Sequence, residues 1–238
     1  MENVDKYIKD WFIDLDINKI PPSFFVIRKT LIEAVKELKP KLKGSVIDLG
    51  CGVMPYKDFL YTSSIDSYIG IDLHEPTSYQ NIVKPDLYWD GVNIPLKDSS
   101  CDYVIATEFL EHYHETSHIL LEIKRVLKKN GVFFFTVPAL WPIHEAPNDH
   151  HRFTPFALKQ HFQKAGYSNW EIKPLGGLHV SVSLILSLWF EKIQPSNKKI
   201  IINFFFKRVI KFLLKKDRRI NSFNNGQLYS GLYGFVTK

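Results

Sequence analysis

Ser45-Val46-Ile47-Asp48-Leu49-Gly50-Cys51-Gly52 is a short apolar run that breaks on glycines, the pattern of a buried strand turning into a helix. Glycine has no side chain and tolerates unusual dihedrals, so the backbone at Gly50 and Gly52 can come close to a ligand. Runs of the same kind follow at Tyr68-Ile69-Gly70-Ile71-Asp72, at Tyr103-Val104-Ile105-Ala106-Thr107 and at Val132-Phe133-Phe134-Phe135-Thr136-Val137. Upstream, Phe24, Ile27, Leu31, Val35 and Leu38 recur at helical spacing behind Ser23, a plausible cap, until Pro40 and Gly44 end the pattern. From Ser117 to Lys129, residues Ile119, Leu120, Ile123, Val126 and Leu127 make one helical face, terminated by Asn130-Gly131. Thr154 to Ala165 reads as a helix capped by Thr154 and stopped at Gly166, Asn169 to Lys173 as an edge strand, and Leu232 to Thr237 as a last strand. Apolar strands alternating with helices predict an α/β fold: a Rossmann-like, doubly wound, mostly parallel seven-stranded sheet with helices on both faces.

The chain has 238 residues, 45% hydrophobic and 24% charged, which is ordinary for a globular protein with one good-sized core. We expect a single domain over 1–238, with a core at 24–175 plus a final strand at 229–237, and a helical insertion at about 176–225. The two cysteines, Cys51 and Cys101, are too few for a disulfide framework, and no secretory pattern follows Met1. A reducing cytoplasm is the expected location.

In an open parallel sheet the ligand crevice lies beyond the carboxyl ends of the strands, and an acid ending the second strand can bond ribose hydroxyls. Asp72, 22 residues after Gly50, fits that role. A dinucleotide-binding G-x-G-x-x-G would carry a third glycine where Gly50-Cys51-Gly52-Val53-Met54-Pro55 has Pro55. That counts against a nicotinamide cofactor.

Further motifs come in order: Ile69-Gly70-Ile71-Asp72-Leu73, then Asp90-Gly91-Val92-Asn93-Ile94-Pro95-Leu96, then Cys101 to Ile105 running on to Glu111-His112, then Glu122 to Gly131. With Val46 to Gly52 they resemble the class I S-adenosylmethionine-dependent methyltransferases of the ubiquinone-biosynthesis-like type, from about Val46 to Ile172. The resemblance implies S-adenosylmethionine as cofactor. It sets Asp48, Gly50 and Gly52 around the methionine part, Asp72 on the ribose, Asp90 with Val92 near the adenine, and Thr107 with Glu108 on the sulfonium side. Cys51 and Leu73 join the cofactor contacts with their motif neighbours.

Methyl transfer from a sulfonium is an in-line displacement that needs positioning and, for a poor nucleophile, removal of a proton. It requires no metal. Candidates for a base or a substrate contact lie in His144-Glu145-Ala146-Pro147-Asn148-Asp149-His150-His151-Arg152-Phe153-Thr154, just past the Val132 strand. His144 and His150 come first because imidazole titrates near neutral pH; Glu145 and Asp149 are the acids. Asp149 and Arg152 could equally pair to pin the loop. Similar His-Glu-x-Pro-x-Asp-x-x-Arg-Phe-Thr stretches occur in methyltransferases linked to cell-surface polysaccharide or glycolipid synthesis. His114 and His118 would share a helix face near His112, but no well-spaced further ligand accompanies them, and no metal is expected.

The formal charge of +6 is uneven, because residues 198–219 alone carry nine Lys or Arg against one Asp. Within that stretch Asn203, Lys207, Lys211 and Lys215 fall four apart beside Arg208, on an otherwise apolar helix. Such a helix could lie on an anionic membrane surface, or pack on the domain or a second subunit with its lysines solvated. The uncharged run from Pro174 to Phe190 is too short and too polar to span a bilayer. The expected acceptor is a small molecule, a glycan or a lipid-linked intermediate, methylated at a hydroxyl, with no nucleic acid partner; the site would be cytoplasmic or peripheral at the inner face of the membrane. A non-catalytic scaffold on the same fold and a nicotinamide-dependent oxidoreductase are the rival readings.

Overall fold

Strand β1 (Gly44–Leu49) carries Val46, Ile47, Asp48 and Leu49 buried, and such residues need cover on both faces of a sheet. The computed structural model describes residues 2–73, 83–192, 199–218, 220 and 222–238, so Lys198 and Arg219 of the basic stretch lie outside the described residues. It supplies β2 (Ile65–Leu73), β3 (Leu87–Trp89), β4 (Cys101–Thr107), β5 (Leu127–Pro138), β6 (Asn169–Leu175) and β7 (Gly231–Thr237). They form one seven-stranded sheet in the order β3-β2-β1-β4-β5-β7-β6. β1 to β5 run parallel, and β7 is antiparallel to both of its neighbours. The expected fold class is therefore observed, with Asn169–Leu175 at the edge.

Strand alternation sorts the core into two layers. Ile47, Leu49, Phe133 and Phe135 face one side, where helices α4 (Thr116–Val126) and α5 (Pro155–Lys164) contribute Ile119, Ile123, Leu158 and Phe162. Val46, Ile105 and Phe134 face the other, against helix α2 (Pro22–Leu38) and helix α6 (Leu178–Lys192). Helix α7 (Lys199–Lys216) packs on α6, mainly through Ile210, its one fully buried side chain among those described. A short N-terminal helix α1 (Glu2–Ile8) and a π-helical turn over Lys9–Ile13 lie against the start of α2. The remaining helix, α3 (Lys57–Leu60), follows the glycine loop.

Two local readings need correction. The helix that begins near Ser117 ends at Val126, and Leu127 to Gly131 already belong to β5. Asn130, at φ 64°, sits in a register shift of the β4–β5 pairing, and Lys128 reaches Asp102 at 2.7 Å; the Asn-Gly pair shapes a bulge instead of a helix stop. Ser23 does not cap α2, whose N-cap is Pro21. Its hydroxyl donates to Glu191 at 2.6 Å and ties α2 to α6. Thr154 does cap α5, accepting the Ala157 N–H at 3.2 Å.

Candidate active site

Beyond the carboxyl ends of β1 and β4 lies a cavity of about 530 Å³. One wall is the loop after β1, where Gly50 and Gly52 have φ values of 67° and 50°. Those are dihedrals that L side chains rarely adopt. A Cβ on Gly50 would also collide with the Phe109 ring. Gly50 and Cys51 donate their N–H groups to the Ile71 carbonyl, which anchors the loop to β2. The missing third glycine is accommodated by Met54 at φ 50°, packed where a Cβ on Gly70 would stand.

Asp72 ends the accessible part of β2 and accepts the Gly52 and Leu73 N–H groups, both at 2.8 Å. Burial raises its pKa against those two bonds. The bare backbone of the glycine cradle suits the close approach of a cofactor such as S-adenosylmethionine, and Asp72 is tied to it through Gly52. Gly50, Cys51, Gly52, Thr107 and Glu108 line the cavity, whereas Asp48, Asp72, Leu73, Asp90 and Val92 do not border it. Asp48 is buried and accepts the Tyr68 hydroxyl at 2.7 Å; burial lifts its carboxyl to about 7. Asp90 is a solvent-side turn acid that accepts the Val92 and Asn93 N–H groups, and Val92 is half exposed. Their placement serves the loop and turn; cofactor contacts for them remain a proposal.

Opposite the loop, Glu108 leaves β4 at φ 50°. Thr136 donates its hydroxyl to Glu108 at 2.9 Å, and desolvation of this half-buried side chain pushes the carboxyl up to about 7. His144 and Glu145 line the same cavity, together with His112. The other loop candidates diverge. Asp149 is clamped by Arg152, with a contact at 2.8 Å, and the guanidinium holds it far below the usual carboxylate range; this acid pins the loop and orients His144, whose Nδ1 is 3.2 Å away. The His150 ring is exposed, faces His114 at 5.9 Å between centroids and is absent from the cavity wall. His114 and His118 do not converge with His112, since His118 Nδ1 lies instead 3.3 Å from the Tyr113 hydroxyl.

Three features were not read in the sequence. Tyr7 and Phe12, from the N-terminal segment, close the cavity with Phe24 and Trp141. Arg28 on α2 enters it with its guanidinium 3.4 Å from the centre of the Phe12 ring. Among the described residues no carboxylate pairs with it, its Nη1 has no hydrogen-bond partner, and burial lowers its pKa. Glu111 is fully buried behind His112, and its pKa is driven well above the ordinary value by desolvation and by Glu108. The aromatic spacing of Tyr7, Trp11 and Phe12 was the available signal for a cover.

Residues 47–135 match a family described as a methyltransferase domain. No curated protein matches the chain. Among solved structures, the chain is similar to a SAM-dependent methyltransferase from Archaeoglobus fulgidus, at 16% identity and TM-score 0.56, over 88% of this chain and 93% of that one. It is also similar to one from Thermotoga maritima described as a possible histamine N-methyltransferase, at 17% identity and TM-score 0.58, over 100% of both chains. A third is the Haloferax volcanii methyltransferase in complex with the Trm112 activator, at 18% identity and TM-score 0.57, over 98% and 96%. At these identities the structures speak for the fold, while the family match runs from β1 through the glycine loop and β4 to β5 and so speaks for the activity. The methyltransferase-domain match over residues 47–135, on a fold shared with S-adenosylmethionine-dependent methyltransferases, supports methyl transfer with S-adenosylmethionine as cofactor over the oxidoreductase and scaffold readings.

Proposed function

We propose that the enzyme methylates a hydroxyl of a glycan or lipid-linked intermediate, with Glu108 taking the proton, while α7 rests on an anionic membrane surface. The observation that carries this reading is the polarity of the cavity opposite the glycine loop. A hydroxyl is a poor nucleophile, and the wall it would meet holds the half-buried Glu108 carboxyl, whose pKa desolvation lifts to about 7. A base poised near neutral pH removes a proton most effectively. Bound S-adenosylmethionine supplies an already activated methyl group. The chain's own residues must therefore orient the acceptor and accept its proton. Glu108 is within the cavity for the second task, and the unpaired Arg28 guanidinium favours an acceptor or cofactor carrying an anionic group near the aromatic cover.

The membrane part of the reading rests on α7. Its packing uses a narrow stripe around Ile210 and the Phe206 ring, stacked on Phe190 at 4.1 Å. Phe204, Phe205, Val209 and Phe212 are left exposed, as is Trp189 on α6. Exposed cations accompany them: Arg208 lies over Phe204, Lys216 over Phe212, and Lys211 and Lys215 stand free of acids among the described residues. Aromatic and basic residues on one exposed helix suit a headgroup layer. No helix among the described residues is long and apolar enough to cross a membrane.

The test of the chemistry is transfer of a labelled methyl group to a lipid-linked glycan fraction, compared between wild type and Glu108→Gln. The variant is expected to keep cofactor affinity and lose about 100-fold in turnover. Label recovered on nitrogen, or as an ester cleaved by mild base, would refute hydroxyl transfer. For the membrane, wild-type protein is expected to float with phosphatidylglycerol vesicles and Lys207, Lys211 and Lys215 all changed to Glu to stay behind; equal flotation sinks that part.

A further inference from the structure

At the open edge of the cavity, Glu111, His112 and His144 bring one oxygen and two nitrogens within 4.8 Å of one another. Two independent features show that these atoms are prepared for something. The first is Glu111 itself. Its side chain has no solvent exposure, and neither carboxylate oxygen has a hydrogen-bond partner; His112 Nε2 stands 3.7 Å from Oε1. A buried carboxylate left without donors costs several kcal/mol or gives up its charge, so the position is stable with a cation beside it and poor without one.

The second feature is the way the two imidazoles are held. His112 Nδ1 stands 2.8 Å from the Asn148 carbonyl. A carbonyl can only accept, so Nδ1 carries the proton and Nε2 faces the cluster with its lone pair available. His144 repeats this arrangement: its Nδ1 lies 3.2 Å from both the Pro142 carbonyl and the Asp149 carboxylate, which Arg152 keeps ionised. Donating one ring N–H to a carbonyl or carboxylate, which leaves the other nitrogen's lone pair free to ligate, is how metal-ligating histidines are held. Glu145 adds a carboxylate 3.9 Å from His112 Nε2, on a residue held at φ 49°, and strained backbone of this kind collects at ligand sites.

We propose that Glu111, His112 and His144 bind a divalent first-row transition ion at the edge of the methyl-transfer cavity. Two imidazole nitrogens and one carboxylate suit Zn²⁺, Fe²⁺ or Co²⁺ better than Mg²⁺ or Ca²⁺, which favour oxygen. Three protein ligands leave a position open, as sites that act on a substrate do. The role of the ion rests on the hydroxyl-acceptor reading above: the acceptor oxygen takes the open position, the ion lowers the pKa of that O–H, and the proton leaves as in that reading. The site itself stands without it, because Asn148, Pro142 and Asp149 hold the two imidazoles whatever the acceptor.

The experiment uses the whole chain, freed of any affinity tag and stripped with a chelator, and titrates it with Zn²⁺ and Co²⁺ by calorimetry and by the visible spectrum of Co²⁺. One ion per chain and a low-symmetry Co²⁺ spectrum are expected, with His112→Asn, His144→Asn and Glu111→Gln each weakening binding by about 10- to 100-fold. His150→Asn, outside the cavity, is expected to bind as wild type. If Glu111→Gln does not fold, the two histidine variants decide the matter. Absence of stoichiometric binding, or binding unchanged in both histidine variants, overturns the site. S-adenosylhomocysteine is titrated into the same samples: affinity for it without any metal affinity leaves the transferase standing and removes only the ion, and metal affinity with transfer to a non-hydroxyl acceptor keeps the site and removes its assigned role.

Discussion

Along Gly50 to Gly52 the cavity wall is backbone, shaped by positive φ angles and hydrogen bonds to Ile71 and Asp72. Across from it, the wall is made of ionisable side chains, the buried Glu111 and the half-buried Glu108, His112 and His144, held by Thr136, Asn148, Asp149 and Arg152. The first wall tolerates almost no added atoms and carries no charged side chain of its own, leaning on Asp72 only through the Gly52 N–H. The second has room at an open edge but depends on where each proton sits. A wall of the first kind suits a cofactor common to many enzymes, and one of the second kind suits an acceptor and its chemistry.

The difference can be broken most sharply at Gly50. Gly50→Ala forces a Cβ into the Phe109 ring at a left-handed φ, and S-adenosylhomocysteine affinity is expected to fall by 100-fold or more, about 3 kcal/mol, in calorimetric titration. On the other wall, Asp149→Ala leaves Arg152 partly buried without its partner and is expected to lower stability by about 2 to 3 kcal/mol in urea unfolding at neutral pH. Because the folded pKa of Asp149 is depressed, its contribution is complete above the unfolded value of about 4 and is lost as pH falls below it. The gap between variant and wild type should therefore close in acid; a gap constant with pH would deny the ion pair its role.

Asp48 has the opposite sign. Its folded pKa of about 7 lies above the unfolded value, so the folded protein holds a proton that the unfolded chain has released, and stability falls as pH rises from about 4 to 7. Asp48→Asn should flatten that slope, by up to roughly 3 kcal/mol across the range, in urea unfolding of cofactor-free protein. Asp72→Ala removes the one side chain that the backbone wall relies on, and about a tenfold loss of S-adenosylhomocysteine affinity is expected, within about 1 to 3 kcal/mol. The smallest change is assigned to Asp90→Ala. This exposed acid closes only its own turn, so the urea midpoint should stay where it is in wild type, and a cofactor affinity reduced tenfold would place the adenine against it after all.

The backbone wall was legible in the sequence because its parts are local. A strand ending in glycines, an acid at the next strand end and a regular alternation of strands and helices all fall within short windows, and the sheet follows from them. The facing wall was legible only in pieces. His144 and Glu145 were singled out from loop composition, but His150, five residues from Glu145, points away, and nothing in the spacing distinguishes them. Glu111 carries no local mark: its isolation follows from burial behind His112 and from a loop 30 or more residues later in the chain. Arg28 reads as an ordinary exposed helix residue until α1 and the turn after it fold their rings over it. The Asn130-Gly131 pair was misread for a related reason, since a helix stop and a bulge use the same residue types and only the pairing of β4 with β5 chooses between them.

The position of β7 has a kinetic consequence. Among the described strands this one lies between β5 and β6 and joins them in the sheet, so neither pairing can form until residues 231–237 have emerged from the ribosome. Until then β5 presents an open edge that includes Phe133 to Phe135, and the nascent chain carries a half-finished sheet past α6 and the exposed rings of α7. Pairings that span about 100 residues, such as Val132 with Thr237, close slowly because the intervening loop must lose its freedom first. Closing the sheet around β7 therefore takes an insertion between two strands, and a chain in which that pairing is unmade exposes an edge open to aggregation.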